Sequence, residues 1–327
     1  MKSTYSLNSK IILLTGGTGS FGTAFIKLLL SNKNFKGTIR IFSRNESKQL
    51  ALREQFNNDK RLRFLIGDVR QLDRVLLAMR GVDIVIHAAA LRQLSALEYN
   101  PFEAVNTNII GAQHVIRAAM ETEVEKAMLV SSSNACSLDD LGGVTQSTAE
   151  KLFIQSNAYT NQKPKLSVVR YNNALDNFDN FIPQLKRQMT SKKISLPDKE
   201  LSRFWVTAKS GAEFVIEMIS EMKGGEILVP KLSSVKILDI AKAIAPKYPI
   251  YYTKLSPGDK LSDTLISREE MQRTMEFRRY FLIQPNFNFW SNVKNKNNPL
   301  PNPDLYTSQT NNLWLSPKQL RANLANL

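Results

Sequence analysis

The chain has 327 residues, 43% of them apolar or aromatic, which suffices for a sizeable core and, by length, about two domains. No apolar run approaches the ~18–20 residues that cross a bilayer and no apolar signal core precedes the first strand, so a cytoplasmic protein without a membrane span is expected. One cysteine (Cys136) excludes an internal disulfide, two histidines (His87 and His114) make a metal site unexpected, and a formal charge of +15 without a basic block reads as a solvated surface around an anionic nucleotide rather than a nucleic-acid interface.

In chain order, the first half alternates β-branched runs with helical patterns. Strands are expected at Ile11–Thr15, Thr38–Ser43, Leu62–Ile66, Asp83–His87, Ala127–Ser131 and Leu166–Arg170. Amphipathic segments at Ala24–Leu30, Arg74–Met79, Ile109–Met120 and Thr145–Ser156 lie between them. Strand runs without polar alternation, separated by helices, predict an α/β fold with a doubly wound parallel sheet covered on both faces. This pattern occupies residues 1–171.

Residues 172–290 mix helices (Ser210–Met222, Ile237–Ile244) with short strands (Glu226–Val229, Ile250–Lys254) and predict a smaller α/β lobe at the strand ends, with later strands free to join the main sheet. Residues 291–327 begin with an extended segment rich in Asn, Pro and Lys. They end in a short helix started by Ser316-Pro317.

The first strand runs straight into Gly16-Gly17-Thr18-Gly19-Ser20-Phe21-Gly22, and a helix follows. Gly16, Gly19 and Gly22 allow a tight turn and let a pyrophosphate approach the helix N-terminus, where free N–H groups and the helix dipole favour negative charge. At the end of the second strand, an acid would hold the ribose hydroxyls of NAD. This chain instead has Ser43-Arg44 with Lys48 one turn on, which favours the 2′-phosphate of NADP. Asp68 and Val69 after the third strand suit an adenine edge. The small Ala88, Ala89 and Ala90 after the fourth leave room for ribose and pyrophosphate, and Asn108 lies on the next helix.

These residues resemble the extended short-chain dehydrogenases/reductases, with a Rossmann sheet. The resemblance is strongest to the UDP-N-acetylglucosamine 4,6-dehydratases that also invert C5 and supply bacterial surface sugars. It rests on Thr15–Gly22, Ser43-Arg44, Gly67-Asp68-Val69-Arg70, His87–Ala90, Glu98-Tyr99-Asn100-Pro101, Thr107-Asn108, Gly111-Ala112, Arg170-Tyr171, Ser202–Trp205, Gly224–Lys231 and Pro257–Leu261. Tyr306-Thr307-Ser308 and Trp314-Leu315-Ser316 extend it towards the C-terminus.

The resemblance implies hydride removal from sugar C4 onto NADP+, elimination of water across C5 and C6, and hydride return to C6. The family performs this with an Asp-Lys pair and a Tyr-x-x-x-Lys pair. Those four positions are occupied by Ser133, Asn134, Gly142 and Gln146. None of the four titrates near neutral pH, and loss of one general acid–base group typically costs ~10²–10⁴ in rate. On the substrate side Phe178 replaces a family arginine, Asp176 and Asp179 replace glycines, and Ser262 replaces a histidine. Arg92, Asn173, Arg203 and Lys260 are the candidate substrate contacts. A second Tyr-x-x-x-Lys, Tyr159–Lys163, is followed at once by Pro164, which places it at the far end of its helix.

Three functions are therefore expected to compete. The first is an NADP-binding homologue with impaired or absent dehydratase activity, in a homo-oligomer or a mixed oligomer with an active paralogue. The second is an active enzyme with rewired residues, drawn from Arg92, Gln93, Glu98, Ser132, Ser133 and Lys260. The third is an NADP-responsive scaffold or regulator.

Overall fold

The computed structural model describes residues 6–160, 162–172, 174–175, 181–255, 260–290 and 306–325. Asn173, Asp176, Phe178 and Asp179 lie outside the described residues.

The strands are β1 (Ile11–Thr15), β2 (Thr38–Ser43), β3 (Leu62–Ile66), β4 (Ile84–His87), β5 (Lys126–Ser132), β6 (Lys165–Tyr171), β7 (Ile194–Leu196), β8 (Ser202–Phe204), β9 (Ile227–Pro230), β10 (Ser234–Lys236), β11 (Ile250–Tyr252), β12 (Thr264–Ile266), β13 (Thr274–Glu276), β14 (Tyr280–Ile283) and β15 (Tyr306–Thr307). Nine of them form one sheet in the order β13-β14-β9-β6-β5-β4-β1-β2-β3. β1 through β6 and β9 run parallel, and β14 and β13 add an antiparallel edge. The order reverses between β1 and β4, which opens a crevice beyond their carboxyl ends.

The helices are α1 (Ser20–Ser31), α2 (Glu46–Gln55), α3 (Leu72–Met79), α4 (Leu94–Tyr99), α5 (Pro101–Ala104), α6 (Gly111–Glu121), α7 (Leu141–Gln155), α8 (Phe181–Gln188), α9 (Ala208–Glu221), α10 (Ile237–Ile244), α11 (Arg268–Met271) and α12 (Pro317–Ala325). Strand residues alternate between two apolar layers. Leu13 and Val85 face α3, α6 and α7, whereas Ile12, Leu14, Ile84 and Ile86 face α1 and α9. Burial on both faces explains why these strands show no polar alternation.

The stretch after Tyr171 divides between two bodies. α9, β9, β13 and β14 complete the main sheet and its cover, while α8, β7, α10 and α12 build a separate apolar core around Ile194, Leu196 and Ile240. α2 escapes apolar spacing because only Gln49 and Leu52 are buried along it. A buried ionic knot ties β6 to its neighbours. Arg170 pairs bidentately with Glu150 of α7 and Glu270 of α11, and its Nη1 also reaches the Cys136 sulfur at 3.1 Å. No helix among the described residues is long and apolar enough to cross a membrane.

Candidate cofactor cleft and catalytic strip

The chain turns sharply where β1 meets α1. Gly16 has φ +69°, and a Cβ there would lie 2.8–2.9 Å from the backbone of Ala88 and Ala89, so only glycine fits. Gly19 is the N-cap of α1 and brings no capping side chain, leaving the first N–H groups of the helix open to a ligand. Thr15 Oγ1 meets His87 Nδ1 at 2.7 Å and locks the ends of β1 and β4 together. His87 stacks on Phe153, and burial followed by the charge of Arg92 pushes its pKa down to about 4, so the ring is neutral at physiological pH.

Beyond this turn lies a cleft of about 390 Å³. Gly16, Thr18, Gly19, Ser20 and Phe21 form one wall, Ser43, Arg44 and Lys48 one end, Asp68 and Val69 the floor beside it, and Ala88, Ala89, Ala90 and Arg92 the opposite end. Two residues expected here do not line the cleft. Gly22 packs on the Gly17 backbone, within 2.3–2.5 Å of its own virtual Cβ. Asn108, in a π-helical turn (Val105–Ile110), borders instead a small cavity at the inner end of the cleft, with its amide engaged by the Leu91 backbone and Thr145 Oγ1.

Asp68 is gripped by Arg70 at 2.7 and 2.9 Å, and Arg44 lies 3.7 Å away. Burial raises the Asp68 pKa, but the Arg70 donors and then the Arg44 charge outweigh it and hold the carboxyl below its ordinary value. Gln49 Nε2 holds Ser43 through both its carbonyl and its hydroxyl.

The strip after β5 is a short 3₁₀ turn, Ser133–Cys136. Ser132 Oγ donates to Gln146 Oε1 at 2.6 Å. Ser133 Oγ donates to Asn172 Oδ1 at 2.9 Å, and Asn172 Nδ2 donates to Asp263 Oδ2 at 2.6 Å. Arg203 lies 3.5 Å from Asp263 Oδ1, and burial raises the Asp263 pKa. Asn134 is half-buried beside them. Lys260 stands at the start of α7, 3.7 Å from Asp140, which caps that helix through Gly143 N–H.

A Cβ on Gly142 would lie 3.0 Å from Leu97 Cδ1 and 3.1 Å from Asp140 Oδ1, so neighbours already crowd that position. Tyr159 is 82% exposed beyond the C-terminal end of α7 and takes no part in the cleft. Burial pushes the Cys136 thiol up to about 12, which makes it inert.

Among the described residues six buried polar side-chain atoms have no protein partner, and three of them, Thr107 Oγ1, Ser131 Oγ and Gln146 Nε2, lie around the cleft. Thr107 lines the main cleft, and the other two residues line a small cavity of about 20 Å³ at its inner end. Together with the glycine turn, these orphans fit the polar rim of a dinucleotide. Asp263, Asn172 and Leu97 escape the sequence reading, because no motif or period marks a residue that matters only through a distant neighbour.

A doubly wound sheet with a glycine turn at its switch point and a strip at the end of β5 defines an extended short-chain dehydrogenase/reductase. Residues 12–285 match the model of a family described as polysaccharide biosynthesis protein. The UDP-N-acetylglucosamine 4,6-dehydratase (inverting) of Campylobacter jejuni subsp. jejuni is 37% identical over 324 residues, covering 96% of each chain. The X-ray structure of Pen from Bacillus thuringiensis superposes with a TM-score of 0.86 at 31% identity, over 98% of this chain and 99% of that one. DesIV, a dTDP-glucose 4,6-dehydratase from Streptomyces venezuelae solved with NAD and TYD bound, shares the fold at 17% identity, with a TM-score of 0.67 over 77% of this chain and 86% of its own. The chain belongs to the polysaccharide biosynthesis family, whose relatives include inverting UDP-N-acetylglucosamine 4,6-dehydratases and UDP-glucose 4-epimerases.

Proposed function

We propose that this chain is a cytoplasmic, NADP-binding member of the family whose dehydratase activity is impaired or absent, and that it acts in surface-glycan synthesis as a binding partner in a homo-oligomer or beside an active paralogue. Residues 16–21 cradle the pyrophosphate, Arg44 and Lys48 take the 2′-phosphate, and Asp68 with Val69 meets the adenine. Ser131 and Gln146 offer hydrogen bonds to the nicotinamide ribose. When bound, NADP+ supplies a hydride acceptor.

The protein's own residues then fall short of the family chemistry. Ser133 and Asn134 cannot exchange a proton with a sugar carbon at neutral pH, Gly142 has no phenol, and Gln146 no charge. The single observation that carries this reading is that Ser133, Asn134, Gly142 and Gln146 hold the four family positions and none of them titrates near neutral pH.

Purified protein incubated with UDP-N-acetylglucosamine tests the proposal. The expected result is a thermal shift with NADP(H) and no 4-keto product by mass spectrometry. Product at family-like rates overturns it. The rewired-enzyme reading draws on one further observation, the Ser133–Asn172–Asp263 chain with Arg203, which brings a buried acid within two hydrogen bonds of the strip. Product formation abolished by Asp263→Asn would favour it.

A further inference from the structure

The inner end of the cleft is dominated by one side chain. Arg92 lines the main cleft, the 20 Å³ cavity that holds Ser131 and Gln146, and a third cavity of about 30 Å³ between Ser20, Phe21 and Tyr171. Its guanidinium reaches the Val130 carbonyl at a long 3.4 Å, and among the described residues no carboxylate lies within ion-pairing distance. Its surroundings are neutral. His87 is uncharged, Gln146 stands where the family carries a lysine, and burial depresses the Arg92 pKa without removing its charge.

The ends of the cleft are not equivalent. Arg44, Lys48 and Asp68 mark the adenosine end, and the α1 N-terminus marks the pyrophosphate in the middle. The nicotinamide half therefore falls to the Arg92 end. Cavities of 20 and 30 Å³ admit about one water each, so a nicotinamide ring reaching into them must displace lining side chains, Arg92 among them. That rearrangement is required of both redox forms alike. Charge is not shared in this way, because the oxidised ring is a cation and the reduced ring is neutral. A half-buried, unpaired arginine repels the first and can lie flat against the second.

We propose that Arg92 makes the cleft selective for reduced dinucleotide over oxidised, so that occupancy follows the redox state of the cofactor pool. This deepens the NADP-binding reading and rests on it. A ligand-occupied form set by the reduced cofactor is also what an assembly partner with no turnover of its own would need in order to respond to metabolism.

Isothermal titration of the full chain with NADPH, NADP+ and 2′-phospho-ADP-ribose tests it, with the NADH/NAD+ pair run alongside. The expected result is NADPH bound about tenfold or more tighter than NADP+, the scale of a like-charge repulsion in a partly screened site. Arg92→Gln should bring that ratio towards one by strengthening NADP+ binding, and Arg92→Lys should keep it. Equal affinities in the wild type, or a ratio unmoved in Arg92→Gln, overturn the selectivity while leaving the cradle intact. Tight 2′-phospho-ADP-ribose with both dinucleotides equally weakened overturns it too, since the gate would then exclude the ring whatever its charge. Failure of every nucleotide to bind overturns the NADP-binding reading itself, and the selectivity with it.

Discussion

Leu97 of α4 packs against Gly142 of α7, its Cδ1 standing 3.0 Å from a Cβ built there, with Asp140 Oδ1 at 3.1 Å on another side. Leu97 is 1% exposed, so it has little room to withdraw. Gly142→Tyr alone should therefore destabilise the fold by ~1–3 kcal/mol through overpacking and restore no turnover. Gly142→Tyr with Leu97→Ala should recover most of that loss. Only when Ser133→Asp, Asn134→Lys and Gln146→Lys are added should 4-keto product appear from UDP-N-acetylglucosamine. Thermal melts and product assays across this series check the point.

The glycine turn makes a sharper forecast. Gly16→Ala forces a side chain into a left-handed conformation and against the Ala88–Ala89 backbone. It should cost ~1–3 kcal/mol and abolish nucleotide-induced stabilisation. A thermal shift with NADPH that survives this substitution would remove the turn from the binding site.

Arg44→Ala with Lys48→Ala should weaken NADPH by ~10-fold or more and leave NADH nearly unchanged, because of the two cofactors only NADPH carries a 2′-phosphate for these cations to hold. Paired titrations of the two cofactors read this directly. Equal weakening of both would make Arg44 a partner of Asp68 and nothing more.

Arg170 is 2% exposed and satisfies two buried carboxylates. Arg170→Leu leaves Glu150 without its cation and Glu270 with only Arg273 at 3.7 Å, and the expected loss is ~3–5 kcal/mol, seen as a lower denaturant midpoint. A loss below ~1 kcal/mol would mean that the carboxylates rearrange or protonate cheaply.

The same knot sets an acid limit. Burial pushes the Glu270 pKa up, but Arg170 more than offsets it, and the folded value falls to about 2 from an ordinary 4.5. A depressed folded pKa stabilises the protein above the unfolded value and loses that contribution as pH falls towards the folded one. Stability should thus hold above pH ~5 and decline between about 4.5 and 2. Glu270→Gln should flatten that decline, which urea melts across pH will show.

Much of the architecture was legible along the chain because its cause is local. β1 through β6 announce themselves by short runs rich in Ile, Val, Leu and Phe, and the glycine spacing after Thr15 states a backbone requirement that no other residue meets. The blank at Ser133, Asn134, Gly142 and Gln146 was equally plain, since the capacity to titrate belongs to the side chain itself.

Tertiary structure alone decided the rest. That β9, β14 and β13 extend the main sheet depends on long-range pairing, which leaves no period in short strands. That Leu97 packs against Gly142, that Asp263 reaches Ser133 through Asn172, and that Arg92 stands without a carboxylate partner at the inner end of the cleft are facts of packing between segments far apart in sequence. A residue's chemistry is written in the chain, but its neighbours, and with them its charge balance and free volume, exist only once the chain has folded.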